Sequence, residues 1–175
     1  MADKITSDNL KLFSSGNCDF AYEFLGCHKE IKNKKEGYVF RVWAPNANSV
    51  SIAGEFTGWG ENPVKMEKIG YGIWEGFSDS AKQYDSYKYL IEKPNGDTVY
   101  KTDPYGYHTE VRPGTASKVY DLEGYNWKDE SYRKEASKKN ILEEPVNIYE
   151  VHLGSWKRHA DGSFLTNDEL SNELD

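Results

Sequence analysis

Arginine is scarce in this chain: four of its 22 basic residues, set against 29 acidic ones, for a formal charge of −7. A protein that tracks a phosphate backbone needs an excess of cations, so nucleic acid is disfavoured as a partner. Long apolar runs are missing too. Mean hydropathy is −0.83, and nothing approaches the ~20 residues that span a bilayer, so no membrane partner is expected. The start, Met1-Ala2-Asp3-Lys4, runs into polar sequence without an apolar signal core, which points to a cytoplasmic location. Cysteine is nearly absent. Cys18 and Cys27 have eight residues between them, neither a redox nor a zinc spacing, and read as free thiols. The four histidines form no H-E-x-x-H pair, and neither a glycine-rich phosphate loop nor a G-x-S-x-G elbow occurs. No metal and no cofactor is expected.

Aromatic residues are what the chain does have: 14% of the sequence, with 13 Tyr, 7 Phe and 5 Trp. Such a content implies a core built on rings, or a ligand that is flat and neutral. A length of 175 residues allows one domain, or one plus an appendage. Residues 1–36 read as a helical leader and connector. Asp8 is placed to cap a helix over Asn9 to Ser15 ending at Gly16, and Asp19 to cap a second turn through Leu25 ending at Gly26. Lys29 to Gly37, rich in Lys and Glu, reads as a solvated connector.

From residue 37 to 123 the period is two. Tyr38 to Ala44, Ser49 to Glu55, Ile73 to Ser78, Tyr87 to Glu92, Thr98 to Lys101 and Ser117 to Leu122 are short strands separated by Gly, Pro and Asn turns. The fold class this predicts is mostly β: an immunoglobulin-like antiparallel β-sandwich. Residues 124–145 are charge-dense and read as a solvated helix or linker. Residues 146–175 start with the β-prone run Val146 to Leu153 and end in a helix, Asn167 to Leu174, capped by Thr166. That is the first half of a β/α unit with no parallel partner, so the C-terminus reads as a cut edge.

Three side chains suggest a binding face. Trp59 sits in a glycine-flanked turn after a strand, where a buried ring would be awkward. Lys88 alternates with Tyr87 and Tyr89, so if the tyrosines point inward it points outward. Tyr100 lies past the next hairpin on the neighbouring strand. An exposed ring with a charged donor beside it suits a sugar, the ring covering C–H groups while Lys donates to hydroxyls. Each polar contact replaces water, so such sites bind in the millimolar to micromolar range.

The runs Val39 to Ala47, Val50 to Trp59 and Tyr87-Lys88-Tyr89 resemble the family 48 carbohydrate-binding module. Asp103-Pro104-Tyr105 and Arg112 to Ser117 look like that module as it occurs in glycogen branching enzymes. Ile148 to Arg158 resembles the first strand of the branching-enzyme barrel in glycoside hydrolase family 13, the Gly154-Ser155-Trp156 continuation favouring that group over debranching and trehalose-forming relatives. The resemblance spans essentially the whole chain. It implies an α-glucan partner, meaning glycogen, starch or malto-oligosaccharide, held by Trp59, Lys88, Tyr100 and a polar pair, Thr115 and Ser117. Strong binders have Trp where Tyr100 stands and Asn where Ser117 stands, so the implied binding is weak. The parent reaction transfers an α-1,4-glucan segment to a 6-hydroxyl through retaining chemistry. Its carboxylates lie on later barrel strands in that family, so no catalytic residue is assigned here, and Asp129, Glu130, Glu143 and Glu144 read as linker charges. Residues 146–175 are then the truncated start of a TIM barrel, expected to pack poorly alone. Two other readings remain open: a module that only docks onto its own catalytic barrel, and a free glycogen-binding regulatory subunit, against which the barrel-like run argues.

Overall fold

The computed structural model describes residues 5–173; Met1 to Lys4, Leu174 and Asp175, on which the signal-segment and helix-end readings partly rest, lie outside them. The chain divides after Gly124 into two compact units.

Among the described residues ten strands build the first unit: β1 (Gly26–Lys32), β2 (Lys35–Trp43), β3 (Ser49–Gly54), β4 (Val64–Lys65), β5 (Glu67–Gly70), β6 (Ile73–Ser78), β7 (Ser86–Glu92), β8 (Thr98–Lys101), β9 (His108–Thr109) and β10 (Ser117–Lys118). One sheet runs β1-β2-β6-β5 and the other β4-β3-β7-β10-β9, with β8 also paired to β7. The pairings between named strands are antiparallel. The predicted β-sandwich is therefore the observed one. Its core lies between the sheets, where Phe40 meets Tyr87 edge-on at 4.9 Å and stacks on Phe56 at 5.8 Å. Val50, Ile52, Trp74 and Val119 are among the other side chains of this core.

The leader is a second core rather than an appendage. Helix α1 (Ser7–Ser14) is capped by Thr6, whose side chain accepts from the Asn9 N–H, so Thr6 and not Asp8 starts it. Gly16 follows with φ 74, a left-handed stop that a side chain would strain. The second turn is a short 3-10 segment, Ala21–Glu23, led by Phe20 without a side-chain cap. Leu10, Phe24 and Leu25 then pack on Ile73 from the face of the first sheet opposite the sandwich core. That face also buries Arg41, whose Nε donates to Glu75 at 2.6 Å and Nη2 to Glu30 at 2.8 Å, while Nη1 donates to the Phe24 carbonyl at 3.3 Å. Lys32 pairs with Glu75 as well. Burial alone would raise the Glu75 carboxyl, but the Lys32 hydrogen bond and the Arg41 charge together hold it below the usual range.

Two further expectations are corrected. Residues 29–37 are no connector: they belong to the β1–β2 hairpin, whose register runs from Gly26↔Arg41 to Lys32↔Lys35. Asn33 and Lys34, at φ 52 and 65, supply the tight turn that right-twisted strands prefer. Their alternating charges belong to a solvent-facing edge. Second, Val146 to His152 form no strand, and a short helix α3 (Leu153–Trp156) follows. A strand needs a neighbour for its ladder; here Ile148 is 89% exposed. In the same unit α2 (Glu130–Ala136) is solvated along its length. Helix α4 (Asn167–Ser171) carries the expected Thr166 cap, reciprocated by Glu169.

Candidate functional site

Strand β7 sets out the site. Its register pairs Ala53 with Lys88, Ser51 with Leu90 and, on the other side, Leu90 with Tyr100. Directly opposed residues share a face, and alternate residues of a strand point to opposite faces. Tyr87 and Tyr89 are fully buried between the sheets, so Lys88, Leu90 and Tyr100 stand on the outer face. The Lys88 ammonium donates to Thr115 Oγ1 at 2.6 Å. Thr102 donates to the Thr115 carbonyl at 2.6 Å, fixing the loop that carries it.

The Trp59 turn leaves β3 at Gly54. Thr57 Oγ1 accepts from the Gly54 N–H at 2.8 Å and donates to the Gly54 carbonyl at 3.0 Å, closing a tight loop. Gly58, Trp59 and Gly60 follow at φ 62, 53 and 111. A left-handed tryptophan costs about 1–2 kcal/mol, and strain of this kind concentrates at sites with a function. Trp59 is 42% exposed and Tyr100 49%. The two segments meet, for a Cβ on Gly60 would lie 3.1 Å from the Tyr100 hydroxyl. Trp59, Tyr100, Lys88 and Thr115, drawn from four separate segments, thus belong to one side of the molecule.

Ser117 does not join them. It pairs with Tyr87, is fully buried, and its Oγ accepts the Asp103 N–H at 2.9 Å. A hydroxyl spent inside the protein reaches no ligand, so the expected Thr115–Ser117 pair reduces to Thr115. What Ser117 supports is a group that sequence reasoning passed over. Asp103 Oδ2 accepts the phenolic protons of Tyr87 at 2.6 Å and Tyr89 at 3.0 Å, and Oδ1 accepts the Tyr105 N–H at 2.8 Å. Burial pushes the Asp103 carboxyl up, and the hydrogen bonds from Tyr87, the Tyr105 amide and Tyr89 only partly offset it. The visible signal was the pair of tyrosines alternating on one strand, whose buried hydroxyls need an acceptor.

Asp129, Glu130, Glu143 and Glu144 belong to the second unit. Among the described residues no group of His, Cys, Asp and Glu side chains is arranged to hold a metal, and no helix is long and apolar enough to cross a membrane.

Residues 24–106 match the family described as carbohydrate-binding module 48, the isoamylase N-terminal domain. The chain is 44% identical over 170 residues to 1,4-alpha-glucan branching enzyme GlgB of Bacillus subtilis (strain 168), an alignment covering 97% of this chain and 27% of that protein. To the same enzyme of Halothermothrix orenii it is 47% identical over 176 residues, 99% of this chain and 28% of the relative. A pullulanase from Anoxybacillus sp. LM18-11, solved with maltotetraose, shares the fold at TM-score 0.50 and 21% identity, over 82% of this chain and 18% of its own. The match to the carbohydrate-binding module 48 family is confined to residues 24–106, just under half of the chain. Over nearly its whole length the chain is similar to these 1,4-alpha-glucan branching enzymes, and it spans about a quarter of the length of the curated relatives it matches.

Proposed function

We propose that the first unit binds α-1,4-glucan weakly on the outer face of its second sheet. Trp59 and Tyr100 would lie under the apolar faces of glucosyl units, and Lys88 and Thr115 would exchange hydrogen bonds with their hydroxyls. The observation that carries this reading is the Lys88–Thr115 hydrogen bond of 2.6 Å beside two half-exposed rings. Those groups are polar, flat and free of carboxylate pairs, which fits recognition better than chemistry. The parent reaction, transfer of an α-1,4-glucan segment to a 6-hydroxyl in glycogen synthesis, belongs to the longer enzyme. The catalytic barrel of that enzyme is the proposed protein partner, and residues 146–175 are its proposed beginning. The proposed domain limits are 1–36, 37–123, 124–145 and 146–175, with the β1–β2 hairpin favouring an earlier start for the module. A cytoplasmic setting suits the unpaired Cys18 and Cys27.

Titration with maltoheptaose or β-cyclodextrin, followed by tryptophan fluorescence and amide shifts, tests the binding. We expect saturation in the millimolar range and a loss of about tenfold or more in Trp59→Ala, since a stacked aromatic anchor dominates such sites. A silent titration at ~10 mM, beyond the weak range for a few contacts, would leave the docking reading, which the exposed run at Val146, Ile148 and Tyr149 favours.

A further inference from the structure

Beyond Lys88 the outer face of the second sheet ends in another aromatic group. The register places Lys118 opposite Ser86 on one side and opposite His108 on the other. Ser86 shares its face with Lys88, two residues along β7. His108, Lys118, Ser86 and Lys88 therefore belong to one face of the sheet, and Tyr120, just past the end of β10, lies beside His108. Tyr84 packs against both rings, 5.9 Å from His108 and 5.7 Å from Tyr120, which are themselves 5.3 Å apart.

Tyr84 shares two properties with Trp59. It is a non-glycine residue in the left-handed region, at φ 72, and the residue is 54% exposed. The conformation is held from both sides: its N–H donates to the Val119 carbonyl at 2.8 Å, and its own carbonyl accepts from Lys118 Nζ at 3.1 Å. The Tyr84 ring stands free, supported from behind by an imidazole and a phenol. The floor between it and the Lys88–Thr115 pair is polar. Ser86 Oγ lies 3.3 Å from Lys118 Nζ and 3.5 Å from Glu110 Oε1. With cation and carboxylate together on that floor, a ligand of either charge meets repulsion, and a neutral polyol does not. Lys88 stands two strand residues, about 7 Å, beyond Ser86, the first residue of β7, and Tyr84 lies in the turn just before it.

We propose that Tyr84, backed by His108 and Tyr120, is a second sugar platform, so that one α-1,4-glucan chain lies across the sheet from Trp59 and Tyr100 over Lys88 to Tyr84. The proposal rests on the α-glucan reading of the first site and adds a property to it, selection by chain length. A short oligosaccharide occupies one platform. A longer one engages the second intramolecularly and gains affinity without any new kind of contact.

The 175-residue chain is titrated with maltotriose and with maltoheptaose. The first platform is followed by the fluorescence component lost in Trp59→Phe, and the second by the His108 imidazole NMR signals, assigned with His108→Gln. We expect the His108 signals to move with maltoheptaose. We also expect Tyr84→Asn, which tolerates the left-handed backbone, to weaken maltoheptaose by about three- to tenfold, the worth of one ring contact. Maltotriose binding at Trp59 should stay unchanged. An unmoved His108 signal at saturating maltoheptaose, or an unchanged preference for the longer sugar in folded Tyr84→Asn, overturns the second platform while leaving the first standing. Silence of both probes in the parent chain overturns both. If Tyr84→Asn does not fold, the His108 signals of the parent chain decide.

Discussion

Tyr87 donates its phenolic proton to Asp103 at 2.6 Å from the strand position next to Lys88. A buried acid therefore stiffens the strand that presents the ammonium. Asp103→Ala leaves the buried Tyr87 hydroxyl and the Tyr105 N–H without an acceptor, and Tyr89 with only the Arg41 carbonyl at 3.3 Å; each unsatisfied buried group costs about 1–3 kcal/mol. We expect a loss of about 2–4 kcal/mol in urea unfolding, and a smaller one, about 1 kcal/mol, for Tyr87→Phe. Equal stability of Asp103→Ala and the parent chain would count against this support.

Arg41 joins β2 to β1, β6 and the leader through Glu30, Glu75 and the Phe24 carbonyl. Removing one partner of a buried ion network leaves uncompensated charge, at about 3–5 kcal/mol. Arg41→Ala should approach that cost in denaturant unfolding. A loss below 1 kcal/mol would mean that water reaches the carboxylates.

The same network sets an acid limit. The folded state holds the Glu75 carboxyl below its unfolded value, so it binds fewer protons when folded. Its contribution is complete above the ordinary glutamate value of about 4.3 and disappears as pH falls through the lower folded value. Stability measured from pH 7 to pH 3 should therefore fall less steeply on the acid side in Glu75→Gln. Parallel profiles would refute the assignment.

Gly60 separates the Trp59 turn from Tyr100. At φ 111, and with a new Cβ 3.1 Å from the Tyr100 hydroxyl, alanine there is strained and presses on the ring. Gly60→Ala should weaken maltoheptaose binding more than it lowers Tm. Adding Tyr100→Phe, which removes the crowding oxygen, should recover part of the loss from the crowding but none from the backbone. No change in affinity for Gly60→Ala would separate the turn from the site.

Phe24 anchors the leader, buried to 2% exposure and edge-on to Phe13 at 6.4 Å. Phe24→Ala opens a cavity costing about 3–5 kcal/mol. A drop in thermal stability without loss of β-sheet circular dichroism is the expected signature. An unchanged Tm would show that the leader packs loosely.

The sandwich was legible because Tyr87-Lys88-Tyr89 and Val39 to Trp43 alternate between unlike faces, which leaves one register that buries the rings. The Trp59 turn was legible because glycines flank it. The β1–β2 hairpin was hidden, since charges spaced for a solvated edge have the composition of a loop. Thr6 and Asp8 are both able to cap, and only the apolar contacts of Leu10 and Phe13 select between them. Ser117 was misplaced because Ala116 and Ser117 are both buried, so no simple alternation carries Thr115 inward or outward. Tyr84, outside any strand, becomes visible only through the cross-strand partners of Lys118.

Strand β7 divides its work by parity. Odd positions, Tyr87 and Tyr89, lock into Asp103 and the core; even ones, Lys88 and Leu90, belong to the outer face. Changes at even positions can therefore alter which polymer the sheet prefers without disturbing the interior, and changes at odd positions can harden or soften the domain without rewriting its recognition. A single stretch of seven residues lets stability and specificity drift independently.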